Sequence, residues 1–275
     1  MPMDRPLRIV IVGPGRAGMS VGLAARRAGH EIVGVLGRSN VAARAATLGA
    51  PALDWDAPLP DCDLVVVAVR DDAIRPVAER LVPVAASSSA AVHLSGLTSV
   101  DALSALGFAG LDIGGFHPLQ TMPNPQDGAA ALAGAAVGIT ADSPLEAQLE
   151  DLAISIGARP FKLEDGRRPL YHAAAACAAN YVLTALALAE ELFEAAGVPF
   201  GLARPLVSEV VANAFEVGPR DALTGPIARG DLGTVSAQIG AVAEVDPDLA
   251  ADFKAFGRAT ARLAGADAAM HEMLR

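Results

Sequence analysis

Apolar residues up to Leu163 form short continuous runs that are separated by amphipathic stretches. This alternation of buried strands and helices is typical of a parallel sheet covered on both faces. Helices are predicted between the runs, for example at Val41–Leu48 and Pro144–Ile156. The predicted strands are Leu7–Val12, Glu31–Leu36, Leu64–Val69, Ala91–Leu94, Leu111–His117, Ala135–Thr140 and Arg159–Leu163.

The strand pattern ends at about Arg168, and long helical patterns follow it. Gly197 and Pro199 end the first of these helices. The two halves predict an α/β fold, with a doubly wound parallel sheet in residues 1–164 and an all-helical domain in residues 165–275. The predicted helices of the second half are Leu170–Ala196, Leu202–Val217, Leu232–Val245 and Pro247–Ala264.

A glycine-rich turn follows the first predicted strand and leads into a helix over Met19–Ala28. In such a turn Gly13 allows the tight bend, Gly15 lets the backbone approach a pyrophosphate, and Gly18 lets the helix pack closely on the strand. The context of strand, turn and helix predicts a Rossmann-type dinucleotide site, and the alternative is a glycine turn that binds nothing. The predicted cofactor-binding residues of this turn are Gly13, Pro14, Gly15, Arg16, Ala17 and Gly18.

The end of the second predicted strand distinguishes the two nicotinamide dinucleotides. An acidic residue there binds the ribose 2′-hydroxyl of NAD, whereas this strand is followed by Arg38, Ser39 and Asn40. Arg38 offers a planar fork suited to a phosphate, and Ser39 adds a neutral donor. We therefore predict NADP(H) as the cofactor. The alternative is that Ser39 or Asn40 caps the helix beginning at Val41 and that Arg38 is a solvated charge.

Candidate ligand-binding residues follow the next three predicted strands. Val69 and Asp71 follow the third strand and are expected beside the cofactor, while Ser95, Gly96 and His117 are expected to bind substrate. The reason is that ligands of open α/β sheets bind at the carboxyl ends of the strands. The alternatives are turn formation by Ser95 and Gly96 and a local hydrogen bond of His117.

His172 and Asn180 are the strongly polar residues of an otherwise apolar helical stretch, and we predict that they are catalytic. In a regular helix, eight residues separate them by about 12 Å along the axis and about 80° around it, so that they could bracket a small substrate. The alternatives are a solvated histidine near the helix start and a buried asparagine bonded to a neighbouring helix.

A polar loop in the second half predicts a further part of the substrate site, with Thr224 and Arg229 as substrate-binding residues. Arg229 could bind a substrate carboxylate in bidentate fashion. The alternative is that these residues contact each other instead of a ligand, with Asp231 capping the following helix and Arg229 pairing with Asp231.

The composition excludes several classes of protein. The formal net charge of −10 argues against a nucleic-acid partner. Two cysteines without paired spacing indicate a reduced, cytoplasmic protein, and the histidine and cysteine spacing predicts no metal site. The apolar stretch Tyr171–Leu188 is rich in alanine and carries two polar residues, which favours a buried helix over a membrane span.

Five motifs together resemble a bacterial family of Rossmann-like proteins that has its own C-terminal helical domain. This family is similar in plan to 3-hydroxyacid dehydrogenases, ketopantoate reductases and pyrroline-5-carboxylate reductases, and the resemblance implies a helical domain like that of 6-phosphogluconate dehydrogenase. The motifs, in chain order, are Gly13-Pro14-Gly15-Arg16-Ala17-Gly18, His93-Leu94-Ser95-Gly96, Phe116-His117-Pro118-Leu119-Gln120, His172–Asn180 and Thr224-Gly225-Pro226-Ile227-Ala228-Arg229-Gly230-Asp231.

The resemblance implies NADPH-dependent reduction of a small anionic 2-oxo acid, with ketopantoate as the specific expectation. Two of the related families use a lysine four residues before the asparagine, but here that position is Ala176, so His172 is expected to replace it as proton donor. Asn180 and Ser95 are expected to donate hydrogen bonds, and Arg229 to hold the carboxylate. The alternatives are an imine reductase and a non-catalytic NADP(H) sensor. Related reductases also imply a homodimer formed through the long helix.

Overall fold

A seven-stranded sheet forms the first part of the protein, which is described by a computed structural model covering residues 5–85 and 90–275. The strand order is β2-β1-β3-β4-β5-β6-β7, and β1 to β5 are parallel. The strands are β1 Arg8–Val12, β2 Glu31–Leu36, β3 Leu64–Val67, β4 Ala90–His93, β5 Asp112–Leu119, β6 Ala136–Thr140 and β7 Arg159–Lys162.

The expectation of a wholly parallel sheet is wrong at one pair, because β6 runs antiparallel to β5. Leu119, at the end of β5, pairs with Ala136, at the start of β6. The connecting segment therefore begins and ends at the same end of the two strands. A parallel connection would instead have to return along a face of the sheet to the opposite end. β7 is again parallel to β6.

Helices cover both faces of the sheet, as predicted for a doubly wound fold. On β1, Ile9 and Ile11 pack into the core that includes helices α1, α2, α5 and α6, whereas Val10 and Val12 pack into the core that includes α3 and α4. This alternation explains the continuous apolar run of β1, since both faces of the strand are buried. The helices are α1 Arg16–Arg27, α2 Val41–Leu48, α3 Asp71–Leu81, α4 Ser104–Phe108, α5 Pro125–Ala131 and α6 Leu145–Ser155.

The remainder of the chain is helical, and the predicted α/β-plus-helical fold class is confirmed. The expected single helix Leu170–Ala196 is interrupted by a π-helical segment at Cys177–Tyr181. The helices are α7 Arg168–Ala176, α8 Val182–Ala195, α9 Arg204–Glu216, α10 Pro219–Ala222, α11 Leu232–Val245, α12 Pro247–Ala264 and α13 Ala268–Met273.

The chain divides into two compact units, Met1–Ala176 and Cys177–Arg275. We call them the sheet unit and the helical unit. This division falls at the end of α7, whereas the predicted domain boundary at 164/165 precedes that helix. The helical unit has a small core of its own, formed by Val235, Ala261, Met270 and Leu274.

One helical stretch among the described residues, Asp165–Ala195, is long and apolar enough to cross a membrane by length and composition alone. The core helix of a soluble protein can meet the same criteria. None of its most apolar 18-residue window is buried in the single chain, however, so the expectation of a buried helix is wrong for the isolated chain.

Candidate functional site

The glycine turn between β1 and α1 has the geometry that its sequence predicts. Gly13 has a φ of +91°, and a Cβ atom there would lie 2.7 Å from the carbonyl oxygen of Ala68. A Cβ on Gly18 would lie 2.4 Å from the carbonyl oxygen of Gly13. Gly15 differs from both, because a Cβ there would meet nothing within 4 Å. The first and third glycines are therefore required by packing, while the second leaves open space above the backbone.

The start of α1 beside that open space is suited to an anion. Gly15 is the N-cap and supplies no side-chain cap, and the first turn contains no acidic residue. Arg16, the first residue of the helix, is exposed. Uncapped N–H groups and the helix dipole together attract phosphate groups.

The turn after β2 packs against the glycine turn. A Cβ on Gly37 would lie 2.8 Å from Cδ of Pro14, and the Gly37 carbonyl accepts a hydrogen bond of 2.9 Å from Nε1 of Trp55. Arg38 and Ser39 follow Gly37 and are exposed, and Arg38 forms no ion pair with any described residue.

The capping alternative for this turn is contradicted by the geometry of Asn40. Asn40 does occupy the N-cap position of α2, but its φ is +53° and its side chain makes no capping hydrogen bond. A left-handed N-cap points its side chain away from the first-turn N–H groups, which a capping residue normally reaches from an extended conformation. The exposed polar groups of the turn therefore remain available to a ligand.

The end of β3 contacts the glycine turn directly. Cγ1 of Val69 would lie 2.7 Å from a Cβ on Gly13, so Val69 closes one side of the turn. Asp71 is the first residue of α3 and is exposed. Its charge also acts on His117, because it raises the pKa of that imidazole against stronger opposing effects. Asp71 thus lies within electrostatic range of His117.

Two histidines face Gly96 at the carboxyl ends of β4 and β5. A Cβ on Gly96 would lie 2.7 Å from Nε2 of His117 and 2.8 Å from Nδ1 of His172. The two imidazole centroids are 6.3 Å apart, and their planes are nearly perpendicular. A Cβ at this position would displace one of the two imidazoles, so Gly96, His117 and His172 form one cluster, which we call the imidazole cluster.

His117 also has a distant partner, which sequence reasoning missed. Its Nδ1 atom lies 2.8 Å from the hydroxyl of Tyr171 on α7. The alternative of a merely local hydrogen bond is therefore wrong, since Tyr171 is 54 residues away. Burial, the neighbouring His172 and the charge of Arg168 lower the pKa of His117 to about 4. His117 is consequently neutral at pH 7.

Arg168, at the start of α7, fixes the backbone on which the imidazole cluster rests. Its side chain is fully buried. The guanidinium donates to Oδ1 of Asp165 at 3.0 Å, to the carbonyl of Ser95 at 2.8 Å and to Oγ1 of Thr140 at 2.9 Å. A buried cation needs this full set of partners. Its hydrogen bond to the Ser95 carbonyl also holds the Ser95–Gly96 segment in place.

Asp165 completes the support beneath the site. Its two carboxylate oxygens accept hydrogen bonds from the Ser99 hydroxyl at 2.5 Å and the Val100 N–H at 3.0 Å. Burial acts to raise the pKa of Asp165, but these hydrogen bonds and the charge of Arg168 hold it below its usual value. Asp165 is therefore an anion that balances the buried cation.

Ser95 uses its hydroxyl in the turn that it begins. The Ser95 Oγ atom accepts hydrogen bonds from the N–H groups of Leu97 at 3.2 Å and Thr98 at 2.9 Å. The alternative of turn formation is thus realised for Ser95. Its hydroxyl hydrogen is not needed for these two bonds, so donation to a substrate stays a prediction.

His93, on β4, is fully buried, and neither ring nitrogen has a hydrogen-bond partner among the described residues. Burial first, and then the charge of Arg168, lower the pKa of His93 to about 4, although the carboxylates of Asp165 and Asp71 oppose this. His93 is therefore a neutral core residue within electrostatic range of Arg168 and Asp165.

The remaining predicted site residues belong to the helical unit. Asn180 lies in the π-helical segment and is exposed, so the alternative of a buried asparagine is wrong, and the regular spacing assumed between it and His172 does not apply. Thr224 and Arg229 are exposed in their loop. Asp231 caps α11, as the alternative of internal contacts expected, because its carboxylate accepts a hydrogen bond of 3.0 Å from the Thr234 N–H. The other part of that alternative is not realised, since Asp231 forms no ion pair with Arg229.

No group of three or more potential metal ligands occurs in the part of the chain that the structure describes. The candidate site comprises the glycine turn and the imidazole cluster. Both are built on the carboxyl ends of the parallel strands β1, β3, β4 and β5, where open α/β sheets bind their ligands.

The fold is Rossmann-type, and its first βα turn has the geometry of a dinucleotide-binding glycine turn. Residues 135–260 match a family model described as a domain of unknown function, DUF2520. A search of curated proteins gave no significant match. The predicted resemblance to a Rossmann-like family related to pyrroline-5-carboxylate reductases is confirmed at the level of the fold by the matches to solved structures.

Three solved structures illustrate the similarity. A Bacteroides fragilis protein, provisionally described as an NADP oxidoreductase, is 24% identical with a TM-score of 0.78, covering 97% of this chain and 98% of that one. Pyrroline carboxylate reductase of Plasmodium falciparum, solved with NADP bound, is 13% identical with a TM-score of 0.59, covering 96% and 98%. A reductive aminase of Aspergillus terreus, in complex with NADPH4, is 16% identical with a TM-score of 0.60, covering 98% and 90%.

Proposed function

We propose that the protein is an NADP(H)-dependent oxidoreductase. The observation that carries this proposal is the contrast within the glycine turn, where Gly13 and Gly18 are enclosed by packing and Gly15 borders open space. The backbone at Gly15 and the start of α1 would hold the pyrophosphate. Bound NADPH supplies a hydride to an electrophilic carbon. The NADP and NADPH4 complexes of two proteins with this fold support the same cofactor here.

Arg38 and Ser39 would select the phosphorylated dinucleotide. Both are exposed beside the glycine turn, and Arg38 has no carboxylate partner among the described residues. A guanidinium fork binds a phosphate in bidentate fashion, whereas the acidic residue that would favour NAD is missing from this position.

The imidazole cluster would perform the proton chemistry on a small oxo acid, and ketopantoate is the first substrate to test. His172 is exposed, and its Nδ1 atom faces Gly96. Because histidine ordinarily exchanges protons near neutral pH, His172 would protonate the alkoxide that forms on carbonyl reduction. Ser95 would add a hydrogen bond, and the roles predicted for Asn180 and Arg229 of the helical unit stay predictions.

Imine reduction is the second candidate. Two of the similar structures are a pyrroline carboxylate reductase and a reductive aminase. A protonated imine needs no strong proton donor, so the presence of Ala176 where related carbonyl reductases have lysine favours this reaction. The third candidate, a protein that senses NADP(H) without turnover, requires the glycine turn alone.

The deciding experiment follows NADPH oxidation by the purified protein with a panel of 2-oxo acids, including ketopantoate, and of cyclic imines, and repeats it with NADH. Turnover of an oxo acid with NADPH in preference to NADH is the expected result. Turnover of imines alone would replace the first candidate by the second. Tight NADPH binding with no turnover across the panel would favour the sensor.

Gly15→Ala is the variant that tests the cofactor site, and Gly166→Ala is its control. Gly15 has a φ of −76°, which any residue adopts, so alanine there should leave the fold intact while it fills the space next to the pyrophosphate. NADPH binding is expected to weaken about tenfold or more, by the ~1.4 kcal/mol that one misplaced phosphate contact is worth. A Cβ at Gly166 would meet nothing within 4 Å, and Gly166 belongs to the 3-10 turn before α7, so Gly166→Ala should bind NADPH normally. Equal binding by wild type and Gly15→Ala would count against the proposed cofactor site.

We also propose that the helical unit forms a homodimer. Helix α9 and its surroundings expose large apolar side chains, among them Leu206 at 64%, Val210 at 58% and Phe215 at 91%. Clustered exposure of this kind is unusual in a monomer and typical of an interface.

Sedimentation of the wild type is expected to give a dimer, and Leu206→Glu is expected to shift the protein toward monomer. Ile154→Glu, on the exposed surface of α6, is the matched control, and a monomeric wild type would overturn the proposal.

A further inference from the structure

Tyr171 has no role in the function proposed above, yet it makes a specific contact with the imidazole cluster. Its hydroxyl lies 2.8 Å from Nδ1 of His117, and the two rings meet edge to face with centroids 5.4 Å apart. Phe161 also packs against Tyr171, with ring centroids 5.8 Å apart. The phenol ring is thus held by packing against Phe161 and by the hydrogen bond with His117.

The direction of this hydrogen bond follows from the acidity of the two groups. The lowered pKa of His117, to about 4, makes its ring neutral, so only one ring nitrogen carries a proton. Burial raises the pKa of Tyr171, so its hydroxyl also stays protonated, while the nearby Arg168 cation favours negative character on the oxygen. A phenol O–H is a stronger acid than an imidazole N–H, so the hydroxyl donates and Nδ1 accepts.

The proton of His117 is then on Nε2, the nitrogen that faces Gly96. No described side chain or backbone group accepts a hydrogen bond from Nε2. His172 faces the same glycine through Nδ1. A ligand above Gly96 would therefore meet a fixed N–H donor from His117 on one side and the solvent-accessible imidazole of His172 on the other.

We propose that Tyr171 is a positioning residue that holds His117 as the Nε2–H tautomer, and that this N–H donates a hydrogen bond to the carbonyl oxygen of the substrate. The second part rests on the proposed function. A neutral donor stabilises an oxygen that gains negative charge during reduction. It gives no comparable help to a protonated imine, which loses positive charge. The pair Tyr171–His117 therefore favours C=O over C=N substrates.

The tautomer is tested without any substrate, by long-range ¹H–¹⁵N correlation spectra of the full-length protein at pH 7. His117 is assigned with His117→Gln. The wild type is expected to carry the His117 proton on Nε2, and Tyr171→Phe, which keeps the ring and its packing, is expected to lose this preference. The chain contains two tyrosines, so Tyr181→Phe is the matched control and should leave the spectrum of His117 unchanged. A wild-type proton on Nδ1, or an unchanged tautomer in Tyr171→Phe, would overturn the positioning role.

Kinetics test the donor role. Tyr171→Phe is expected to lower kcat for the best oxo acid about tenfold, with KM and NADPH affinity nearly unchanged, since the bond strengthens only as charge develops. In a His117→Gln background, whose amide donor has no tautomers, Tyr171→Phe should have little further effect. A rise in KM alone would overturn the assignment to the carbonyl oxygen. A wild type without turnover would overturn the proposed function and this donor role together, but would leave the tautomer result standing.

Discussion

Gly115→Ala is expected to lower the free energy of unfolding by about 1–3 kcal/mol, the range typical of forcing extra volume into a packed interior. Gly115 is buried on β5, and a Cβ there would lie 1.8 Å from Nη2 of Arg168. The guanidinium is the end of a flexible side chain, but this one is fully buried and bonded to three partners. It cannot move without leaving a buried charge partly unpaired.

Urea denaturation of Gly115→Ala and wild type measures this effect, with Gly166→Ala as the control for a general glycine-to-alanine effect. Gly166 is exposed and has an unrestricted Cβ position. Combining Gly115→Ala with Arg168→Met should recover part of the lost unfolding free energy. The reason is that the double variant has no guanidinium for the new methyl group to displace from its partners. A Gly115→Ala variant as stable as wild type would show that Arg168 relaxes freely and does not anchor the Ser95 backbone.

The features predicted correctly from the sequence are those that depend on near neighbours in the chain. The glycine turn is the main example, because Gly13 and Gly18 are enclosed by their own strand, helix and the end of β3. The boundaries of β2, α2, α11 and α12 agree to the residue with the predicted ranges. The periodicity of apolar residues, together with the proline and glycine residues at which helices and strands begin or end, determines these local boundaries.

The features that were missed depend on contacts between distant residues. The antiparallel pairing of β6 leaves no trace in its apolar pattern, which is the same for either direction. The Tyr171–His117 bond joins residues 54 positions apart, and only the tertiary packing of α7 near β5 brings them together. Arg168 did offer a signal, since an arginine between the last strand and an apolar helical stretch can be buried as an ion pair, but its partner Asp165 gave no separate indication.

His172→Ala is expected to reduce kcat for oxo-acid reduction by about 10²–10⁴, the usual contribution of a general acid. The side chain is exposed, so its removal should leave the stability of the fold nearly unchanged. Imine reduction should fall much less, because the imine already carries its proton, and NADPH binding should not change. The matched control is His271→Ala, which removes a histidine from α13.

A second consequence of His172→Ala can be measured at His117. The charge of His172 is the second largest cause, after burial, of the lowered pKa of His117. Removing a like charge favours protonation, so the pKa of His117 should rise from about 4 toward its ordinary value without reaching it, because the ring stays buried. An NMR titration of His117 in both proteins measures this shift. A large loss of turnover without any shift at His117 would mean that the two imidazoles do not share one site, whereas a shift without loss of turnover would assign the proton to a group other than His172.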